Sequence, residues 1–348
     1  GKEIQYLQQA IAEGHTSGNG PFTKRAERLL ASMHQGSTSL LTTSCTHGLE
    51  LAARLLNLEP GDEVIVPSYT FVSSANAFLW NGAKPVFADV RPDTLNIDPE
   101  SAKSLITERT RAICIVHYAG VPANPEEFEK IAEEFGLVLI EDNAHGLGGS
   151  SRGRQLGTFG AMSTLSFHET KNITCGEGGA LVISAEEYIE RAEILREKGT
   201  DRTKFFKGQV DKYTWVDVGS SWILSDILAA ILLAQLEEFE EIQARRNAIA
   251  ERYIEGLGDW AERNQVRIGP TLPNTAHLVY LLFDQGKNEF LGLMKELGVG
   301  ATFHYQPLHL SRVGQKYVSQ GTAFPVTEKV ANGLVRLPLF VGLEPSQQ

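Results

Sequence analysis

Six short runs rich in β-branched and apolar residues recur at 63–67, 84–90, 112–117, 137–141, 162–167 and 180–184. Amphipathic helical stretches lie between most of them, for example at 45–57 and 126–135. This alternation predicts an α/β domain whose central sheet is largely parallel and covered by helices on both faces. Ligands then belong at the carboxyl ends of the strands. From 225 to about 257 the pattern reads as one long charged helix carrying Glu237, Glu238, Glu240, Glu241, Arg245 and Arg246, a connection between domains. Beyond Trp260 the runs shorten, with a strand expected at 277–283 and a helix at 289–297, which suits a smaller α+β domain. The expected division is a large domain of residues 1–240 and a small one of residues 241–348.

Composition excludes several functions. The chain has 348 residues, enough for a large core and for two domains. A formal charge of -11 disfavours nucleic acid, whose phosphates need a dense basic face. No apolar run approaches the roughly 18 residues of a membrane helix, so no membrane partner is expected. The stretch Glu3 to Glu13 is polar and helix-like rather than signal-like. Cys45, Cys114 and Cys175 are odd in number and far apart, against a disulfide framework or a zinc knuckle. A reducing cytoplasm is the expected location. No metal is expected: His304-Tyr305-Gln306-Pro307-Leu308-His309 lacks zinc-ligand spacing and has no acidic third ligand nearby.

Four stretches carry chemistry. Lys171 follows the buried run 162–167 and precedes Gly176-Glu177-Gly178-Gly179. A lysine beside the core has a lowered pKa and can attack an aldehyde as a free amine. Thr43-Ser44-Cys45-Thr46-His47-Gly48 opens an amphipathic helix, and a helix start binds phosphate through free N–H groups and its dipole. The continuous apolar run 137–140 delivers Glu141-Asp142-Asn143-Ala144-His145. Asp142, at a strand's carboxyl end, would hold a pyridinium nitrogen protonated. Ala144 leaves room for a flat ring, and His145 would meet its phenolic oxygen. Phe71, after the strand 63–66, would stack on the ring. Each stretch alone also fits a plain helix cap, a solvated loop or core packing; their order in the chain carries the reading.

Taken together these stretches resemble fold-type I pyridoxal-phosphate enzymes, and more narrowly the sugar-nucleotide aminotransferases of the DegT/StrS type. The resemblance runs from Gly20-Pro21-Phe22-Thr23 to Arg336-Leu337-Pro338-Leu339-Phe340 and is most specific at Ser44-Cys45-Thr46, Glu141-Asp142, Ser166-Phe167-His168 and Lys171. It implies a mixed, mostly parallel seven-stranded sheet with a smaller α+β C-terminal domain. It also implies pyridoxal 5'-phosphate held as a Schiff base to Lys171. On this match Asp142 pairs with the pyridine nitrogen, Phe71 stacks on the ring, and Cys45, Thr46 and Ser166 hold the phosphate.

The resemblance further implies a homodimer with shared active sites. Many members reach a partner's cofactor phosphate from Gly-x-Asn-x-Arg, where this chain has Gly219-Ser220-Ser221-Trp222-Ile223, so Ser221 stands at the contact position. The stretch from Gly199 through Lys212-Tyr213 to Trp215 looks like the branch that makes dTDP-4-amino-4,6-dideoxygalactose from dTDP-4-keto-6-deoxyglucose for enterobacterial common antigen. Lys212, Tyr213 and His309 are the expected contacts to a dTDP-sugar, with L-glutamate and 2-oxoglutarate as the amino-group pair. Related dehydratases have a His in place of the Schiff-base lysine, which Lys171 argues against. A non-catalytic sensor stays open, whereas a Rossmann dehydrogenase is weakened by the lack of Gly-x-Gly-x-x-Gly after a first strand.

Overall fold

A computed structural model describes residues 1–271, 273–318 and 321–348. Its strands in chain order are β1 (Thr38–Thr42), β2 (Glu63–Pro67), β3 (Lys84–Ala88), β4 (Thr110–Val116) and β5 (Val138–Asp142). A two-residue pair, β6 (Ser150–Ser151) and β7 (Arg154–Gln155), precedes β8 (Met162–Ser166) and β9 (Gly179–Ile183). β10 (Arg267–Gly269), β11 (Tyr280–Leu282) and β12 (Leu334–Arg336) complete the set.

Seven strands form one sheet in the order β1-β9-β8-β5-β4-β2-β3. β9 runs antiparallel to both neighbours, while the pairs from β8 to β3 are parallel. The sheet is therefore mixed and mostly parallel. Residues 112–116 of β4 are all buried, since helices cover the sheet on both faces and neither side of a central strand meets water. The helix Pro125–Phe135 shows how the cover is made: Pro125 starts it, Gly136 ends it in a left-handed turn (φ 64), and Phe128, Ile131 and Ala132 form its buried stripe. Burying a side chain such as Phe128 contributes about 2 kcal/mol.

Residue 225 onward differs from the expected single helix. The chain forms Asp226–Glu237 and then Phe239–Arg263, with Glu238 between them outside helical geometry (φ -102, ψ 13). The first of these is buried along Ala229, Ala230, Leu232, Leu233 and Leu236, and the second turns a charged face outward. Charge continuity across the junction hides the break. The expected boundary at 240/241 falls in the first turn of the second helix. Beyond it, β10, β11 and β12 make a three-stranded antiparallel sheet packed on that helix.

Alternation along β5 sends two consecutive carboxylates to opposite sides. Glu141 is fully buried and accepts from the backbone N–H groups of Gly157 (2.8 Å), Phe159 (2.7 Å) and Gly160 (2.7 Å) and from His117 Nε2 (2.8 Å). Burial pushes its pKa up, but the His117 side chain and the Gly160 and Gly157 amides outweigh this and hold it below the ordinary 4.5. A depressed carboxylate stabilises the fold fully above its unfolded pKa and loses that contribution as pH falls through the folded value. Glu141→Gln should therefore destabilise by about 3 kcal/mol at neutral pH, because an amide cannot accept from all four donors. Urea midpoints should show the gap between wild type and variant narrowing below pH 4.5; a pH-independent gap would contradict the charge argument.

Candidate active site

Register brings the carboxyl ends of several strands to one place. Thr42 of β1 pairs with Gly179, Gly179 with Ser166, and Asp142 with Thr164 and Val116. Above this edge lies a cavity of about 530 Å3, within the range of small-molecule sites. Ser44, Cys45, Thr46, Phe71, Asp142, Ala144, His145, Ser166 and Lys171 all line it.

One end of the cavity is the start of the helix Cys45–Leu55. Ser44, extended at φ -164, caps it by accepting from His47 N at 3.1 Å, and the first turn leaves the amides of Cys45 and Thr46 without intrahelical partners. Thr46 Oγ1 and Ser73 Oγ lie 2.7 Å apart beside it. Gly179 is required here: a Cβ on it would collide with the Ser44 carbonyl and the Cys45 amide. A small acceptor-rich anion fits this cup.

Asp142 forms the floor. Its Oδ2 accepts from Ser74 Oγ at 2.6 Å and its Oδ1 from Ala144 N at 3.2 Å, while Thr70 Oγ1 lies 2.9 Å from Ser74 Oγ. Burial pushes its pKa above the ordinary value, against the opposing pull of Ser74 and Lys171. Such a carboxylate lacks a full counter-ion, which a protonated ring nitrogen would supply.

Lys171 enters from a loop that closes on itself. Phe167 N donates to Gly178 O (2.8 Å), Glu169 N to Gly176 O (2.9 Å), and Lys171 N to His168 O (2.9 Å). Among the described residues its amine has no hydrogen-bond or ion-pair partner. Burial lowers its pKa, with Cys45 and Asp142 opposing and Arg336 adding to the fall. The neighbouring Asn172 anchors the loop, donating to Thr275 O at 2.7 Å. A less basic amine facing a cavity, an anion cup at one end and a buried carboxylate at the floor together fit pyridoxal phosphate.

The remaining wall is aromatic. His145 stacks on His277 (centroids 4.0 Å), His304 on Tyr305 (3.8 Å), and Tyr118 Oη lies 2.6 Å from His304 Nδ1. His145 Nδ1 accepts from Ala119 N (3.2 Å), which leaves Nε2 as the donor toward Tyr305 Oη (3.2 Å). Burial holds His145, His277 and His304 neutral, His304 down to about 2. Phe71 is 55% exposed at the mouth, 6.2 Å from Tyr305.

Four expected residues lie outside this lining. His309 is buried between Ser68 Oγ (2.6 Å) and Glu328 (3.3 Å) and stacks on Phe324. Lys212 and Tyr213 are exposed on the segment after the helix Arg202–Phe206, and Ser221 is exposed where it bridges Glu197. Conversely, Ser74, His277 and Arg336 border the site although the sequence reading gave them no role. A lone arginine ending the otherwise apolar strand 334–336 was the available signal. Among the described residues no group of three or more His, Cys, Asp or Glu is arranged to hold a metal ion. No helix among them is long and apolar enough to cross a membrane.

The sequence model of the DegT/DnrJ/EryC1/StrS aminotransferase family matches residues 1–348. An uncharacterized protein of Methanocaldococcus jannaschii, MJ1066, is 35% identical over 335 residues, spanning 92% of this chain and 86% of that one. The aminotransferase TlmJ of Streptoalloteichus hindustanus superposes with a TM-score of 0.91 at 32% identity, covering 100% of this chain and 93% of its own. Spr1654 of Streptococcus pneumoniae, in its PMP form, gives 0.90 at 26% identity over 99% and 93%; it has also been solved in a PLP form. The seven-stranded sheet is accordingly the fold-type I sheet, and over its whole length the chain belongs to the DegT/DnrJ/EryC1/StrS aminotransferase family.

Proposed function

We propose that the protein transfers an amino group from L-glutamate to the 4-keto group of dTDP-4-keto-6-deoxyglucose, giving dTDP-4-amino-4,6-dideoxygalactose and 2-oxoglutarate. The observation that carries an aminotransferase reading is one cavity lined by both the Lys171 amine, unpaired among the described residues, and the buried Asp142 carboxylate. Pyridoxal 5'-phosphate bound there supplies an electron-withdrawing ring that lets a proton leave the carbon bearing the amino group. Lys171 would hold the cofactor covalently in the resting enzyme. Once released by the amino donor, its amine takes the proton from the donor's α-carbon, and it later delivers a proton to the sugar carbon. Asp142 keeps the ring nitrogen protonated, and Ser74 and the Ala144 amide keep Asp142 aimed. The amides of Cys45 and Thr46 and the Ser166 hydroxyl bind the phosphate. Phe71 and Ala144 would flank the ring, and His145, whose Nε2 lies 3.2 Å from Tyr305 Oη, would meet its phenolic oxygen.

The dTDP-sugar reading rests on the segment from Gly199 to Trp215. Phe206, Tyr213 and Trp215 are 71%, 51% and 76% exposed there, on a segment that also carries the exposed Lys212, while its Lys204 and Lys207 are paired with Glu190 (2.6 Å) and Glu193 (3.0 Å). Stacking rings next to cations suit a nucleotide base and its diphosphate. The same exposure suits a homodimer in which this segment and Ser221 cover a partner's site. A cytoplasmic place in enterobacterial common antigen assembly follows from that substrate. His309, enclosed by Ser68 and Glu328, is then better suited to shaping the loop 303–310 than to touching sugar.

An absorbance spectrum tests the reading. The purified protein should show a visible cofactor band that bleaches with L-glutamate and returns with dTDP-4-keto-6-deoxyglucose. Bleaching without return on that sugar would keep the aminotransferase and remove the substrate. No band after adding pyridoxal phosphate would remove both.

A further inference from the structure

We infer that His277 is a positioning residue: together with Thr275 and Asn172 it fixes the His145 imidazole at the angle that meets the cofactor's phenolic oxygen, and so ties that contact to the loop carrying Lys171. The inference rests on the aminotransferase reading above and deepens it.

Residues 275–277 lead toward β11 and touch both sides of the site. Thr275 Oγ1 donates to His145 O at 2.6 Å. Thr275 O accepts from Asn172 Nδ2 (2.7 Å) and from Gln243 Nε2 (2.6 Å). The His277 ring lies on the His145 ring, with centroids 4.0 Å and planes 23° apart, and its Nδ1 is 3.0 Å from Asn172 Oδ1. Arg246 holds the backbone of the same segment, donating to Ala276 O (3.1 Å) and His277 O (2.8 Å). Ala276 is left-handed at φ 48, a conformation that a residue with a side chain keeps only where its surroundings impose it. Asn172 follows Lys171 directly in the chain. One short segment thus grips both the residue beside the amine and the imidazole in the cavity wall.

The hydrogen bonds settle both tautomers. The Asn172 amide nitrogen is committed to Thr275 O and, at 3.2 Å, to Gln243 Oε1, so its oxygen faces His277 and the His277 Nδ1 donates. His277 Nε2 then carries no proton. His145 is the reverse: its Nδ1 accepts from Ala119 N at 3.2 Å, which puts the proton on Nε2. Burial, and after it the charges of Lys171, Arg246 and Arg336, hold His277 neutral, and burial does the same for His145. Two neutral rings stack without charge repulsion. Their contact resists a turn of the His145 ring about its Cβ–Cγ bond, a broad torsion that one hydrogen bond at Nδ1 restrains poorly. His145 is therefore held at its carbonyl by Thr275, at Nδ1 by Ala119 and on its face by His277. Its Nε2–H, 3.2 Å from Tyr305 Oη, is the side-chain donor left to serve a bound ring.

A donor on the phenolic oxygen spreads its negative charge and loosens the proton on the neighbouring Lys171-linked nitrogen, so the pH midpoint of the visible band reports whether His145 is in place. In His277→Leu holoenzyme the midpoint should rise by about one unit, a tenfold tighter hold on that proton. His145→Leu should move it by a like amount, and the double variant no further, because the two residues act as one. His277→Phe keeps a flat face and should reverse most of the shift. Thr275→Val removes only the hydroxyl that holds His145 O; it should move the midpoint in the same direction, and it decides the matter if His277→Leu does not fold. A midpoint that moves in His145→Leu but not in His277→Leu or, should that not fold, in Thr275→Val would overturn the assignment, as would shifts that add in the double variant. A midpoint unmoved in His145→Leu would remove the His145 contact and the assignment with it. Wild-type protein that gives no visible band on adding pyridoxal phosphate would instead remove the aminotransferase reading itself, and the assignment would fall with it.

Discussion

Lys171→Ala is expected to eliminate steady-state transamination, with a loss of about ten-thousandfold or more, because in the proposed mechanism one amine is both the cofactor's anchor and the base that moves the proton. The variant should fold normally. The loop is held by backbone bonds through Phe167, Glu169 and Gly176 and by Asn172, none of which uses the lysine side chain. It should still take up pyridoxamine phosphate, whose phosphate and ring nitrogen would meet Cys45, Thr46 and Asp142 on the proposed assignment. Coupled assay of 2-oxoglutarate release gives the rate, and turnover above a few per cent of wild type would remove Lys171 from this role. Cofactor-free wild type offers a second view. A burial-lowered pKa leaves more of the Lys171 amine neutral than at a surface lysine, so mild borohydride trapping with pyridoxal phosphate near neutral pH should label Lys171 first. Peptide mass spectrometry would show it.

Asp142→Asn is expected to slow bleaching by L-glutamate by about a hundredfold to a thousandfold. The amide keeps the shape and can still accept from Ser74 or Ala144, but it cannot hold a proton on the ring nitrogen. Cofactor affinity carries the pH signature. Burial raises the Asp142 pKa in the cofactor-free protein, so wild-type affinity should weaken as pH falls and the carboxyl takes up a proton; the Asn variant should lack that slope. Fluorescence titration with pyridoxal phosphate at several pH values checks this. A variant retaining both full rate and slope would show that Asp142 does not serve the ring.

Much of this was legible in the chain because the signals are local. Apolar runs marked β2, β4, β5 and β8 to within a residue or two, and the placement of Asp142 at the end of β5 and of Lys171 in the loop after β8 follows from where those runs stop. β1 escaped because Thr38 and Ser39 interrupt its apolar character; it is a strand because β9 pairs with all five of its residues. The break at Glu238 escaped for the opposite reason, since acidic residues on both sides give one continuous pattern. His309 shows the limit of motif spacing: a string of residues names a side chain but not the direction it leaves the backbone, and here that direction is toward Ser68. Arg336 could be noticed in the sequence but not interpreted, because the lack of a hydrogen-bond partner for its Nε among the described residues is a property of the assembled wall.

The paired carboxylates of β5 also bear on how the chain matures. Because strand side chains alternate, sliding β5 by one residue so that Glu141 takes the place of Asp142 would bring Ile140 to the place of Glu141, where an apolar side chain could not accept from His117 or the amides of Gly157, Phe159 and Gly160. Wrongly threaded chains would thus hold the cofactor less tightly as well as being unstable, and the visible band acquired at limiting cofactor would favour correctly assembled molecules, a quality gauge for refolding or storage that needs no substrate.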